Sequence, residues 1–127
     1  MKVMDKKSIL VVEDSHYLAE SLSDMINIKG YEALMAPNGR EGVRIALEEH
    51  PDLILLDIRL PDIDGYEVFR QIREDVWGKK ARIVILTASE SIVNIAKNID
   101  LPSEDILFKP EWSIIDLAKK ITDIMEG

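Results

Sequence analysis

Three runs of four consecutive apolar residues, Ile9–Val12, Leu53–Leu56 and Ile83–Leu86, constrain this chain more than any other feature. A strand with one wet face alternates apolar and polar side chains. A run that is apolar at every position and rich in Ile, Leu and Val therefore reads as a strand covered on both faces. Covered strands are the inner members of a parallel sheet whose crossovers carry helices. Two weaker strand candidates complete the set: Tyr31–Ala36, ended by Pro37, and Asp105–Phe108, ended by Lys109 and Pro110.

The intervening segments have helical spacing: Leu18, Leu22, Met25 and Ile26; Val43, Ala46 and Leu47; Val68, Phe69 and Ile72; Ile92, Ile95, Ala96 and Ile99; Ile114, Leu117, Ala118, Ile121 and Met125. Gly30 stands at a helix end, Asn38 at a helix start and Pro51 just beyond a helix. Strict alternation with short connections predicts an α/β fold: a flavodoxin-like (βα)5 doubly wound parallel sheet of strand order 2-1-3-4-5, in three layers. The 127 residues read as a single domain over 1–127 with its core at about 7–126, and Pro102–Asp105 as an irregular stretch before the last strand.

Charge and composition exclude several classes. With 16 Lys+Arg against 24 Asp+Glu the formal charge of −8 opposes direct nucleic-acid binding. No uninterrupted apolar run exceeds four residues, so neither a membrane-inserted helix nor a secretory signal is expected. The absence of cysteine excludes disulfides and thiol chemistry and suits a cytoplasmic location.

In an open α/β sheet ligands bind beyond the carboxyl ends of the strands. There the first run is followed by Glu13-Asp14, the third strand by Asp57, the fourth by Thr87 and the fifth by Lys109-Pro110. Taken singly, each has a bland role: the acids cap helices, Thr87 fills a strand or turn, and Lys109 is a solvated edge charge. Together they place three carboxylates, a hydroxyl and an ammonium at one edge. Converging carboxylates repel, and a hard divalent cation such as Mg2+ is their natural counter-ion. Asp57 is then placed to attack phosphorus while Lys109 and Thr87 meet the phosphoryl oxygens.

Four blocks, Ile9-Leu10-Val11-Val12-Glu13-Asp14, Leu55-Leu56-Asp57-Ile58-Arg59-Leu60-Pro61-Asp62-Ile63-Asp64-Gly65, Ile85-Leu86-Thr87-Ala88 and Phe108-Lys109-Pro110, together resemble the receiver domain of bacterial two-component response regulators. The resemblance spans essentially the whole chain. It implies that Asp57 is phosphorylated by a histidine kinase or phosphotransfer protein, with Thr87 and Lys109 assisting. It implies further that Mg2+ is held by Asp14, by Glu13 largely through water, by Asp57 and by the Arg59 backbone carbonyl. Such a protein is not an enzyme in the ordinary sense. It passes its signal to a downstream protein target through the face of the fourth helix, fifth strand and fifth helix. Pro61 and Gly65 would shape the loop beneath the site, Gly65 through special backbone geometry, and Arg59 occupies a spot that can influence the lifetime of the phosphorylated state.

Some positions depart from the family pattern. Glu13 stands where Asp is frequent, Pro102-Ser103 replaces a Gly-Ala-like turn, and Glu111-Trp112 follows Lys-Pro in place of the common Phe. Ile106 replaces the aromatic that rotates inward when the threonine moves, so the switch should be smaller or differently routed. Phe108 reads as core, Trp112 as open between core and contact surface, Trp77 as a plug at the end of the third helix, and His16 and His50 as structural or solvated. Three rival readings compete for parts of this pattern. A haloacid-dehalogenase-type phosphatase wants Asp-x-Asp where Asp57-Ile58-Arg59 stands, and a nucleotide- or flavin-binding domain wants a glycine-rich turn where Glu13-Asp14-Ser15-His16 stands. A pseudo-receiver binding module that acts without phosphorylation is the alternative that fits the same fold.

Overall fold

The computed structural model of the chain describes residues 6–88 and 92–127. Its elements run β1 (Ser8–Val12), α1 (His16–Ile28), β2 (Glu32–Ala36), α2 (Gly39–Glu49), β3 (Leu53–Leu56), α3 (Gly65–Glu74), β4 (Ile83–Thr87), α4 (Ile92–Asn98), β5 (Ile106–Phe108) and α5 (Ile114–Glu126). The five strands are all parallel and lie in the order β2-β1-β3-β4-β5.

The all-apolar runs become the central strands because successive side chains point to opposite faces and both faces are covered. Leu10, Val12, Ile54, Leu56, Ile83, Ile85 and Ile106 pack with Val43, Ala46, Val68, Phe69, Ile72, Ile95 and Ile99, so α2, α3 and α4 cover one face. Ile9, Val11, Leu53, Leu55, Val84, Leu86 and Leu107 pack with Leu22, Met25, Ile26, Leu117, Ala118, Ile121 and Met125, so α1 and α5 cover the other. Each fully buried Ile or Leu contributes about 1.5–3 kcal/mol. A one-residue slip of register would exchange the two sets and mismatch both layers.

The helix starts are capped by side chains. Ser15, Asn38, Asp64 and Ser113 accept from the amides of Leu18, Glu41, Glu67 and Asp116, and Ser113 with Asp116 forms a reciprocal capping box. Gly30 follows α1 with φ +92°, a left-handed turn that glycine adopts without a Cβ penalty. Beyond α2 the left-handed position falls on His50, whose exposed ring stacks on the half-buried Trp77 at a centroid distance of 4.5 Å. Trp77 thus plugs the gap between the ends of α2 and α3, as its place in the chain suggested, and His50 is its lid.

Some boundaries differ from the sequence reading. Tyr31 precedes β2, where it is buried and donates to Glu126 Oε2 at 2.6 Å. Asp105 belongs to a 3-10 turn over Ser103–Asp105 and not to β5, because its carboxylate is drawn inward by Arg82 at 3.0 Å and Lys120 at 3.7 Å. Phe108 is only half-buried and lies outside both apolar clusters, since β5 ends there at the sheet's last edge; Trp112, also half-buried, packs against the α1–α5 cluster. On α4, Ile95 and Ile99 are buried as its spacing predicts, while the side chains of Ile92 and Ala96 lie outside the described ones.

Candidate functional site

Each candidate residue sits where a central strand runs out. Val12 of β1 pairs with Leu56 of β3, so Glu13-Asp14 and Asp57 leave the sheet side by side, and the Asp57 amide donates to the Val12 carbonyl at 3.0 Å. β4 continues to Thr87, opposite Phe108 of β5, and Lys109 follows directly. This is the point where the sheet's order reverses, with connections leaving β1 and β3 toward opposite faces.

Glu13, Asp14 and Asp57 bring ligand oxygens within 4.8 Å of one another. Glu13 and Asp57 are buried and Asp14 is exposed. The Lys109 ammonium lies 2.6 Å from Glu13 Oε1 and 3.1 Å from Asp57 Oδ2, spanning elements 96 and 52 residues apart. The other Glu13 oxygen accepts from the Ser15 amide at 3.0 Å, and Asp57 Oδ1 accepts from the Arg59 amide at 3.2 Å. Burial pushes the Glu13 carboxyl above its ordinary value, and Asp57 adds to the effect, against the lowering pull of Lys109 and the Ser15 amide. Burial also disfavours the Lys109 charge, but the two carboxylates outweigh it and hold the ammonium above its usual range. Thr87 is fully buried at the end of β4.

The donor set fits a hard cation: three carboxylates, one of them open to solvent, and the backbone of Arg59 on the adjoining loop. In this arrangement both Glu13 oxygens are engaged, Oε1 by Lys109 and Oε2 by the Ser15 amide, whereas Asp14 is exposed. Beside the acidic pair lies a cleft of about 260 Å³ lined by Glu13, Asp14, His16, Ala19, Met35, Ala36 and Pro37. The Arg59 side chain is exposed.

The loop from Asp57 to α3 owes its path to Gly65, though not through an unusual φ. A Cβ there would press on the Asp57 carbonyl and come 2.6 Å from Ile58 Cα, and the Gly65 amide donates to the Ile58 carbonyl at 2.7 Å. The special geometry expected of Gly65 is therefore a close backbone approach. Sequence reasoning missed Asp62, which binds the start of α2 across the loop, and the buried Asp105 with its two cations. An acidic residue in a polar turn carries no signal that separates it from its solvated neighbours.

The family whose model matches is described as the response regulator receiver domain, over residues 9–122. Among curated relatives, the response regulator MprA of Mycolicibacterium vanbaalenii is 36% identical over 102 residues, which cover 80% of this chain and 43% of that protein. The transcriptional regulatory protein YkoG of Bacillus subtilis is 35% identical over 118 residues, 93% of this chain and 50% of that protein. The chain thus spans about half the length of these relatives. Among solved structures, a CheY-like response regulator receiver domain protein from Methanospirillum hungatei superposes with a TM-score of 0.84 at 26% identity, covering 96% of both chains. The receiver domain of a sensor histidine kinase from Pseudomonas aeruginosa, described with a magnesium ion coordinated in its active-site cleft, superposes at 0.82 with 29% identity, covering 96% of this chain and 99% of that one.

Proposed function

The chain belongs to the response regulator receiver domain family, and from that premise we propose that it is a phosphorylation-operated switch in which Asp57 accepts a phosphoryl group in a Mg2+-dependent reaction. The observation that carries this reading is the convergence of Glu13, Asp14 and Asp57 within 4.8 Å, with the Lys109 ammonium on Glu13 and Asp57.

A carboxylate oxygen of Asp57 attacks phosphorus in line as the bond from phosphorus to the donor breaks, leaving an acyl phosphate. The donor is a histidine kinase or phosphotransfer protein, and a small acyl phosphate can stand in for it. Lys109, 3.1 Å from Asp57, follows the charge as it moves onto the phosphoryl oxygens, and the Thr87 hydroxyl donates to one of them. Mg2+, held by Asp14, Asp57, the Arg59 carbonyl and, through water, Glu13, would offset the negative charge gathered on acceptor and donor. Bridging Glu13 and Asp57, Lys109 also offsets the repulsion between the two buried carboxylates.

The product carries about −1.5 to −2 charges at the end of β3. Drawing Thr87 toward it biases an equilibrium of the β4 end, α4 and β5. Ile106 fills its buried place in β5 with no aromatic ring to rotate inward, so the signal passes to the face of α4, β5 and α5 by repacking of aliphatic side chains. A downstream protein reads that face. Among the described residues no helix is long and apolar enough to cross a membrane.

Intact-mass spectrometry after incubation with acetyl phosphate tests the reading. A Mg2+-dependent phosphoryl adduct on the unaltered chain, absent from Asp57→Asn, is the expected result. No adduct from folded protein with several donors would replace it with the phosphorylation-independent binding module.

A further inference from the structure

The first turn of α2 is satisfied from two separate places. Its first four amides have no partner inside a helix and need one outside. Asn38, immediately before the helix, takes the Glu41 amide on its side chain at 2.9 Å and the Gly42 amide on its carbonyl at 3.0 Å. The Gly39 and Arg40 amides go elsewhere. They donate to Asp62 Oδ1 at 2.8 Å and Oδ2 at 2.9 Å, one to each oxygen of a carboxylate more than twenty residues away in the chain.

Asp62 lies on the loop that leaves the Asp57 strand end and contains Arg59. That loop is held at its base by the Arg59 amide on Asp57 and by the Gly65 amide on the Ile58 carbonyl. Between those points Asp62 and the residue after it touch the start of α2: a Cβ on Gly39 would stand 2.5 Å from Ile63 Cγ1 and 2.9 Å from the Ile63 carbonyl oxygen. Helix start and loop are thus in van der Waals contact and joined by two charge-assisted hydrogen bonds. The Asp62 carboxyl is kept below its ordinary value: partial desolvation pushes it up, and the amides of Arg40, Ile63 and Gly39 outweigh that.

Resting on the functional reading above, we propose that Asp62 is a positioning residue: by clamping the loop to the α2 N-terminus it holds the Arg59 carbonyl where the cation binds Asp57. Asn38 and Asp62 cap the same helix end, yet only Asp62 belongs to the loop. Asp62→Ala and Asn38→Ala should therefore lower the melting temperature comparably and differ at the site.

Amide exchange by NMR reads the loop, and titration of the same samples with Mg2+ reads the site. For Asp62→Ala, exchange at Arg59 and Gly65 should quicken and Mg2+ affinity fall about tenfold, as for residues that orient metal ligands. Asn38→Ala should leave both within about twofold of the unaltered chain, and Asp62→Asn, which keeps one acceptor, should fall between. Equal Mg2+ affinity and equal Arg59 and Gly65 exchange in Asp62→Ala and Asn38→Ala would reduce Asp62 to a helix cap and overturn the proposal. If the unaltered chain binds no Mg2+ at Asp57, the functional reading fails, while the exchange comparison still decides whether Asp62 holds the loop.

Discussion

Replacing Lys109 with methionine keeps most of the side chain's length and removes its charge. The ammonium stands 2.6 Å from Glu13 and 3.1 Å from Asp57, carboxylate residues only 4% and 6% exposed. Removing one partner of a buried ion pair leaves the other charge uncompensated, at about 3–5 kcal/mol. Because the Lys109 side chain retains 20% exposure, the lower end applies, and the variant should lose about 3 kcal/mol near neutral pH without Mg2+. For a domain of this size that is a fall of about 12 °C in Tm. The loss should depend on pH in a defined direction. Burial already holds the Glu13 carboxyl above its ordinary 4.5, and without the ammonium it rises further. A carboxyl whose folded pKa is raised favours the folded state below its unfolded value and loses that contribution as pH rises through the folded one. The cost of Lys109→Met should therefore be small at about pH 4 and full at about pH 7.5. Millimolar Mg2+ should restore part of it, because a cation among the gathered carboxylates would replace the missing charge and favour the folded chain that gathers them. Urea unfolding followed by circular dichroism at both pH values, with and without Mg2+, measures all three effects. A loss below about 0.5 kcal/mol at the higher pH, or an equal loss at both, would refute the electrostatic account of the pocket.

Gly65→Ala drives a methyl against the Asp57 and Ile58 backbone; it should cost about 1–3 kcal/mol in chemical denaturation and slow acetyl phosphate labelling, since the acceptor strand end must shift. At the surface of α3, Glu67 is pulled down to about 2 by its hydrogen bonds with Arg70 and Gln71. Its contribution to stability is present above the ordinary 4.5 and lost as pH falls toward 2, and a carboxyl NMR titration should show the midpoint returning toward the ordinary value in Arg70→Ala. A stable phosphoryl mimic at Asp57 should change hydrogen exchange at the β4 end, α4 and β5; identical protection with and without it would sink the switch as described.

Much of the fold was legible because burial on two faces leaves a local mark. Ile9–Val12, Leu53–Leu56 and Ile83–Leu86 are strands to within a residue, and Gly30, Asn38 and Pro51 mark helix boundaries for reasons confined to their own turns. The edge elements were less legible. β2 and β5 are exposed or short, so Tyr31 and Asp105 are set by distant partners, Glu126 in one case and Arg82 with Lys120 in the other. Phe108 misled because aromatic character implies burial only where a neighbour exists to cover it, and β5 is the last strand.

By itself the sequence determined the alternation of elements, the chemistry waiting at each strand end and so the edge at which to look. Apolar periodicity and turn chemistry act over a few residues and can be read there. The tertiary structure decided which helices share a face and which oxygen of Glu13 meets Lys109. It also made Gly65 indispensable through close approach, where its φ is unremarkable, and set Asp62 on the start of α2. Those outcomes are polar contacts and steric fits between segments tens of residues apart, which have no period, and their strength comes from desolvation that exists only once the sheet has brought its strand ends together.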